Sequence, residues 1–469
     1  MNLSKKAIGF FFLLGFFILC FFLTKMDAIK SFSDFSLFEW QTHLATQGKL
    51  YLPYTHSSLD PEYQFFPLPN LFFHLTKNNA HATFPNLYPI LMSPLYLLFG
   101  VYGIQVAQFV LFLISIWIFF QTTKNEVLTL FLFFSSSIVL YIFLVHDTIL
   151  VFFIEILVLF FYQKEKPFLT SLLTVIVIWM RPEMGFVFCF LPFLFPHSIP
   201  WKKYFFLCSV LFLLFALINF IFYHSFLPLR FLKNSQSQWN PEVGIYLLRL
   251  VWQQIPIFIL FIFFLIWEWF HQTKNYLHIF LVCTTILVCF VSPNTGGHDT
   301  PRYLYGFIPL YLLSMENKNK KLTIHPVIVT FFLLLMSIYF TYGLHSQFKT
   351  LAKISKYQSN TLSEIASLKE KTIVVNNSDL SFILLPLLTQ NKDILLLREE
   401  VSNSGFVNFL TKNQIPEFVF VEIPPSPYPI PDSLVSEDCQ NHCIYQKRES
   451  NPLPNALLPI SISRYLRSF

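Results

Sequence analysis

Apolar residues in this sequence run in long unbroken stretches, where a soluble core would show short alternating patterns. The first stretch, 7–23, follows Lys5 and Lys6 and fits either a signal peptide or a retained first helix. No small-x-small cleavage site follows it, so a retained helix is expected. Further stretches near 101–120, 127–145, 148–162, 167–180, 184–197, 204–223, 255–270, 277–292, 303–315 and 324–343 bring the expectation to about eleven spans. Several fall short of the ~20 residues that a perpendicular helix needs to cross a bilayer. Pairs such as 167–180 and 184–197 are therefore expected to be bent or only partly inserted.

From 344 the pattern changes. A polar, Lys-rich segment gives way to Thr372–Asn377, Asp393–Arg398 and Glu417–Ile423, short runs with strand character. Helical spacing fills 380–389 and 402–412 between them. The chain thus predicts an α-helical polytopic membrane domain over 1–343, including a long first outer loop at 27–100. A small α/β domain follows over 344–469, with enough residues for a modest core of its own. No Gly-rich phosphate loop follows its first strand, so nucleotide binding is not expected there. Pro424 to Pro431 forms a Pro-rich linker. No internal repeat is present.

Composition sharpens this reading. Hydrophobic residues make up 54% of the 469 positions and charged residues only 12%, with 60 Phe. A soluble protein averages about 25% charge. Disorder, a nucleic-acid-binding domain and a disulfide-stapled mini-protein are excluded. The net charge of +6 is spread too thinly to mark a polyanion partner. Its placement is more informative. With the N-terminus in the cytoplasm, Lys124, Lys164 and Lys166, Lys202 and Lys203, Lys274, and Lys318, Lys320 and Lys321 all fall on the cytoplasmic side, as the positive-inside rule requires. Arg230, Lys233 and Arg249 run against the rule, within a longer outer loop where it is weaker. Five cysteines lie in apolar spans and read as small hydrophobes. Cys439 and Cys443 lie in the outer tail, where either a local disulfide or free thiols fit. No metal site is expected.

Ionisable residues collect at the outer boundary of the membrane. Asp34 sits at the outer end of the first span, just ahead of a predicted helix with Ser36 and Glu39 at capping-box spacing and Gly48 as its stop. Leu37, Trp40 and Leu44 would share one face of that helix, as a helix lying on the membrane surface requires. His146-Asp147 separates two apolar runs with almost no loop, and Glu155 lies about two turns deeper. An intramembrane carboxylate is a functional-site candidate because its insertion costs about 3 kcal/mol. Arg181-Pro182-Glu183 interrupts a long apolar run. Gly296-Gly297-His298-Asp299 leads to Arg302 at the mouth of a late span, where a guanidinium could hold a lipid phosphate through two hydrogen bonds.

In the order of these parts the chain resembles the GT-C membrane glycosyltransferases, the broad group of protein O-mannosyltransferases and bacterial aminoarabinose transferases. The ordered parts are Asp34 after the first span, then Ala45, Gly48, Leu50 and Tyr51. Tyr88, Pro89, Pro94 and Gly100 follow around the second span. Asp147 comes at the start of a later helix, then Arg181-Pro182-Glu183, and finally Gly296, Gly297 and Pro301 to Leu304. Relatives often carry an acidic pair in the first loop; here Asp34 is followed by Phe35 and Ser36.

The resemblance implies transfer of a sugar from a polyprenyl-phosphate donor to a glycan, glycolipid or protein acceptor at the outer face of a bacterial inner membrane. It requires no cofactor. Asp34 is expected to be the acceptor-side base or orienting carboxylate, with Asp147 and Glu183 as supporting acids. Arg302 is the expected partner of the donor phosphate. Arg181, His298, Asp299, Arg230, Lys233 and Arg249 are further substrate-binding candidates. A transporter or lipid flippase, with Glu155 and His146-Asp147 as an ion relay, is the alternative from another class. A polysaccharide polymerase or ligase and a non-catalytic scaffold are the others.

Overall fold

The structure is a computed structural model and describes residues 5–24, 29–76, 79–195, 198–234, 240–270, 276–292, 300–315, 326–398, 401–423, 445–452 and 460–467. In chain order the helices are α1 (Lys5–Leu23), α2 (Asp34–Thr46), α3 (Leu87–Thr123), α4 (Glu126–Phe134), α5 (Thr148–Gln163), α6 (Pro167–Met180), α7 (Pro182–Cys189), α8 (Leu191–Leu194), α9 (Trp201–Tyr223), α10 (Leu229–Asn234), α11 (Pro241–Gln254), α12 (Pro256–Phe270), α13 (Tyr276–Val291), α14 (Phe307–Met315), α15 (Pro326–Ala366), α16 (Ser378–Leu384) and α17 (Asn403–Lys412). The chain divides into two compact units. One comprises Met1–Asp27 and Leu98–Leu351, the other Ala28–Leu97 and Ala352–Phe469.

The first unit is helical and apolar, and the protein is an integral membrane protein. Among the described residues, three helices are long and apolar enough to cross a bilayer: α3, α9 and Val327–Ala366 of α15. The pair α11 and α12 qualifies together, bent by 91° at Ile255. The apolar helices α5, α6 and α13 are shorter. Long apolar side chains on α9, among them Phe206, Leu213, Ile221 and Phe222, face outward.

The pattern near 127–145 predicts one span, and the structure breaks it. Three consecutive serines end α4. Ser135 Oγ donates back to Leu132 O, and Ser136 Oγ accepts from the amide of Ile138. A 3₁₀ turn over Ser137–Ile142 follows, and the chain then runs irregularly to Asp147. Irregular backbone in an apolar interior survives only if its polar groups find partners. Two glutamines of α3 supply them. Gln105 Nε2 donates to Phe143 O at 2.9 Å, and Gln108 Nε2 donates to Ile142 O at 3.2 Å and Leu144 O at 2.8 Å. These bonds fix the strand of chain that delivers His146 and Asp147.

The second unit is built from distant parts of the sequence. Its strands are β1 (Phe73–Leu75), β2 (Ala80–Ala82), β3 (Thr372–Val375), β4 (Asp393–Leu396), β5 (Glu417–Glu422), β6 (Tyr445–Pro452) and β7 (Ser461–Arg467). β1 and β2 form a hairpin. The other five form a sheet in the order β4-β3-β5-β7-β6, with β3 parallel to β4 and β5, and β7 antiparallel to its neighbours. α16 packs on one face through Leu380, Ile383 and Leu384; α17 packs on the other through Phe406, Phe409 and Leu410.

Residues 54–73 of the first loop wrap the open edge of this sheet. The Leu396 amide donates to Phe65 O at 3.1 Å on the free side of β4. The Phe65 ring lies against Phe406 and Phe409, and Ser381 Oγ of α16 donates to Pro67 O. Arg398 donates to the carbonyls of Tyr63, Gln64, Phe66 and Leu68. An exposed edge strand invites pairing with other chains; here the chain covers its own edge. Cys439, Cys443 and Pro424 to Pro431 lie outside the described residues.

Candidate active site

In the first unit, three elements deliver charge to one buried place. The irregular segment held by Gln105 and Gln108 ends at His146 and Asp147, ahead of α5. At the junction of α6 and α7, Arg181 closes the first helix through its amide to Val177 O, and Pro182 begins the second. Proline cannot continue a helix that needs its amide hydrogen, so the chain turns and the Arg181 side chain is free to point inward. Past α9, Asn219 Nδ2 donates to Ser225 O and Leu227 O, turning the chain into α10, which carries Arg230. Arg302 precedes α14.

All of these side chains are buried, Asp147 and His146 completely. Arg181 Nη2 donates to Asp147 Oδ1, and Arg230 Nη1 stands 4.0 Å from Asp147 Oδ2. His146 Nδ1 is 3.0 Å from Asp147 Oδ1, and Arg302 Nη1 is 2.9 Å from His146 Nε2. The guanidinium carbons of Arg181, Arg230 and Arg302 each lie 5.5 Å from the centre of the Tyr303 ring. That distance is within reach of the attraction between a cation and an aromatic quadrupole. Arg181 Nη1, Asp147 Oδ2 and Glu183 Oε1 are buried polar atoms that find no hydrogen-bond partner among the described residues.

A small pocket opens on this cluster, lined by Thr148, Glu155, Arg181, Arg302, Tyr303 and Gly306 among others. Its floor is set by contact between the Glu155 carboxylate and Gly306. A Cβ at 306 would come within 2.6 Å of Glu155 Oε1 and 2.6 Å of Met184 Cε. Among the described residues, no group of three or more His, Cys, Asp or Glu side chains is placed to hold a metal ion.

The structure therefore gathers Asp147, Arg181, Arg230 and Arg302, with Glu183 beside them on α7. Lys233 lies one turn beyond Arg230 on α10 and is half-buried, while Arg249 sits on an exposed face of α11. His298, Asp299, Gly296 and Gly297 lie outside the described residues. Tyr303 falls within the Pro301 to Leu304 phrase of the sequence reading but not as the hub of a cluster, and Gly306 and the two supporting glutamines do not figure there. A pair of glutamines three residues apart in an apolar helix is the signal that could have found the last.

Asp34 belongs to the second unit. It does not sit ahead of its helix but begins it, and the helix starts two residues before the predicted capping box. Ser36 is buried inside the helix, and Glu39 receives a hydrogen bond from the Tyr96 hydroxyl at 3.2 Å. Nor does α2 present a single apolar face to a membrane surface. Phe35, Leu37, Phe38, Trp40 and Leu44 are buried around it together with Ser36, Gln41 and Thr42. Gln41 Nε2 donates to Phe84 O and Asn86 Oδ1, and the Phe38 ring stacks on Phe84 at 4.5 Å. Gly48 does provide the stop, at φ +71°.

The structure is similar to the crystal structure of ArnT from Cupriavidus metallidurans bound to undecaprenyl phosphate, with a TM-score of 0.55 over 98% of each chain and 10% identity. The fold is that of the GT-C glycosyltransferases. No protein-family model and no curated protein matches the sequence. Likeness at so low an identity is likeness of fold.

Proposed function

We propose that this protein is a GT-C glycosyltransferase that moves a sugar from a polyprenyl-phosphate donor to an acceptor at the outer face of the membrane. The observation that carries the reading is the convergence of three buried guanidinium groups on Tyr303, with Asp147 against Arg181. A phosphate supplies the charge and the oxygen atoms that such a cluster can bind through planar two-point contacts. The ArnT fold, in a protein whose structure holds undecaprenyl phosphate, supports the same ligand class.

In this reading Arg302 and Arg230 hold the donor phosphate, and Arg181 and Asp147 form the fixed ion pair that orients them. Glu183 supports the pair. Lys233, Arg249, His298 and Asp299 are candidates for contacts further along the donor. Asp34 is the acceptor-side carboxylate. It accepts the proton of the acceptor hydroxyl or amine as that atom bonds to the anomeric carbon. The bond from that carbon to the phosphate oxygen breaks, and the polyprenyl phosphate leaves with the electron pair, its charge stabilised by the arginines. The lysine alternation favours a cytoplasmic N-terminus and an extracytoplasmic tail, and the apolar stretches favour about eleven membrane passages.

The test is transfer of labelled sugar from a polyprenyl-phosphate donor by the full-length protein in nanodiscs. Asp34→Asn should lower transfer by about 10²–10⁴-fold while leaving the protein folded. Arg302→Lys keeps the charge but loses the fork, and should raise the donor KM more than it lowers kcat. Failure to consume any polyprenyl-linked sugar, with collapse of a solute gradient across vesicles holding the protein, would overturn the reading in favour of a transporter.

A further inference from the structure

Within the second unit, Lys30 and Ser33, in the segment leading to Asp34, are tied to a helix far along the chain. Ser355 Oγ on α15 accepts from the Lys30 amide at 2.7 Å and donates to Lys30 O at 2.9 Å. Gln358 Oε1, one turn further along α15, accepts from the Ser33 amide at 2.8 Å. Residues three apart on a helix share a face, so one side of α15 grips this short segment at two points.

Ser33 holds φ 51° and ψ −136°, a combination that residues with a side chain seldom adopt. Such a conformation persists only where the surroundings fix it. The next residue is Asp34, the first of α2. The Ser33 side chain makes no capping bond to the helix. Its main-chain amide is bound by Gln358, and within the turn the Phe35 and Ser36 amides donate to Phe32 O at 3.1 Å and Ser33 O at 3.0 Å. The Phe32 and Phe35 rings, 5.0 Å apart, pack across the same turn. Released from Gln358, Ser33 would relax toward a common conformation and swing the start of α2.

We infer that Ser355 and Gln358 are positioning residues for Asp34, holding Ser33 in a strained conformation so that the carboxylate projects correctly from the first turn of α2. The inference rests on the proposed role of Asp34. It assigns a function to the polar stretch after the last apolar run, which the proposed chemistry does not otherwise use.

The experiment uses the full-length protein in nanodiscs with the polyprenyl-phosphate-sugar donor. Gln358→Met keeps the length of the side chain and removes the acceptor. It should lower kcat about tenfold or more, since small misplacements of a reacting group carry large rate penalties, and leave the donor KM unchanged. Adding Ser33→Gly should restore most of kcat, because glycine adopts the same backbone without strain. A role confined to overall stability predicts instead that kcat per folded protein is unchanged in Gln358→Met, with the loss following the unfolded fraction. An unchanged kcat in Gln358→Met, or a Ser33→Gly/Gln358→Met double variant as slow as the single, overturns the inference. Hydrogen exchange separates this outcome from failure of the glycosyltransferase reading. Gln358→Met should speed exchange at the amides of 33–37 whatever the protein's activity, and unchanged exchange there overturns the pinning on its own.

Discussion

Arg302 donates through Nη1 to Nε2 of His146 at 2.9 Å, inside a buried cluster. A guanidinium can only donate, so Nε2 accepts in this contact; the Thr148 amide donates to the other ring nitrogen, Nδ1, at 3.2 Å. That nitrogen faces Asp147 Oδ1 at 3.0 Å and Thr148 Oγ1 at 2.7 Å. His146 thus links the carboxylate that holds Arg181 to the arginine proposed to hold the phosphate.

Removing the acceptor should disturb Arg302 more than it disturbs the helices. His146→Phe keeps a ring of similar size and leaves a buried cation without this partner. Losing a hydrogen bond to a charged group costs about 1.5–3 kcal/mol. The expected result is a lower unfolding temperature together with weaker binding of undecaprenyl phosphate. His146→Gln, which offers an amide oxygen, should recover part of both. Equal binding by wild type and His146→Phe would show that the link is not used.

Gly306→Ala tests the floor of the pocket. The new methyl would overlap the Glu155 carboxylate and the Met184 methyl group. Overpacking of this kind costs about 1–3 kcal/mol. Met184 is flexible and can yield, but Glu155 must shift within the pocket it lines together with Arg181 and Arg302. Donor binding should therefore weaken more than stability falls, measured by ligand titration beside thermal unfolding. Loss of stability with intact binding would place Glu155 outside the donor site.

The sequence reveals the pieces of the candidate site but not their assembly. Asp147, Arg181 and Arg302 each stand out because charge is rare in apolar runs. Their meeting depends on a break at Ser135–Ser137 and on support from Gln105 and Gln108, which local pattern does not encode. Hydropathy marks where apolar segments are, while serines, prolines and buried amides decide where they stop being helices. β3, β4 and β5 lie where the apolar runs predict them. The part played by 28–97 in the same unit was not legible, because pairings such as Lys30 with Ser355 leave no periodic trace across 325 residues. The α2 start differs for a related reason: Ser33 takes a positive φ with its amide bound by Gln358, far along the chain, and propensity gives no hint of it.

Glu39 provides a pH test outside the membrane. Burial raises its pKa, partly countered by the hydrogen bond from Tyr96 and the charge of His43. A carboxyl group whose pKa is higher folded than unfolded adds stability below the unfolded value, about 4.3. That contribution is lost as pH rises through the folded value. Glu39→Gln keeps an acceptor for Tyr96 and carries no charge. Its unfolding temperature should exceed that of wild type at neutral pH, with the gap closing toward pH ~4. A gap that is constant with pH would show that Glu39 titrates alike in both states.

The last prediction concerns the independence of the tail. Its length suggests a domain that folds alone, yet the sheet's open edge and both flanking helices are covered by 54–73. A fragment beginning near 370 would lack Phe65, which fills the space between Phe406 and Phe409, and would leave Arg398 without the four carbonyls it binds. Burial of a Phe side chain is worth about 1.5–3 kcal/mol, a large share of what a domain this small retains. The fragment is expected to aggregate or to give poorly dispersed amide spectra. In the full chain, Arg398→Ala should speed hydrogen exchange at 63–68 and destabilise the unit by about 2 kcal/mol, while β3 and β5 keep their protection. A fragment from 370 with well-dispersed amides and a cooperative unfolding transition would show that the first loop only decorates a sheet that folds without it.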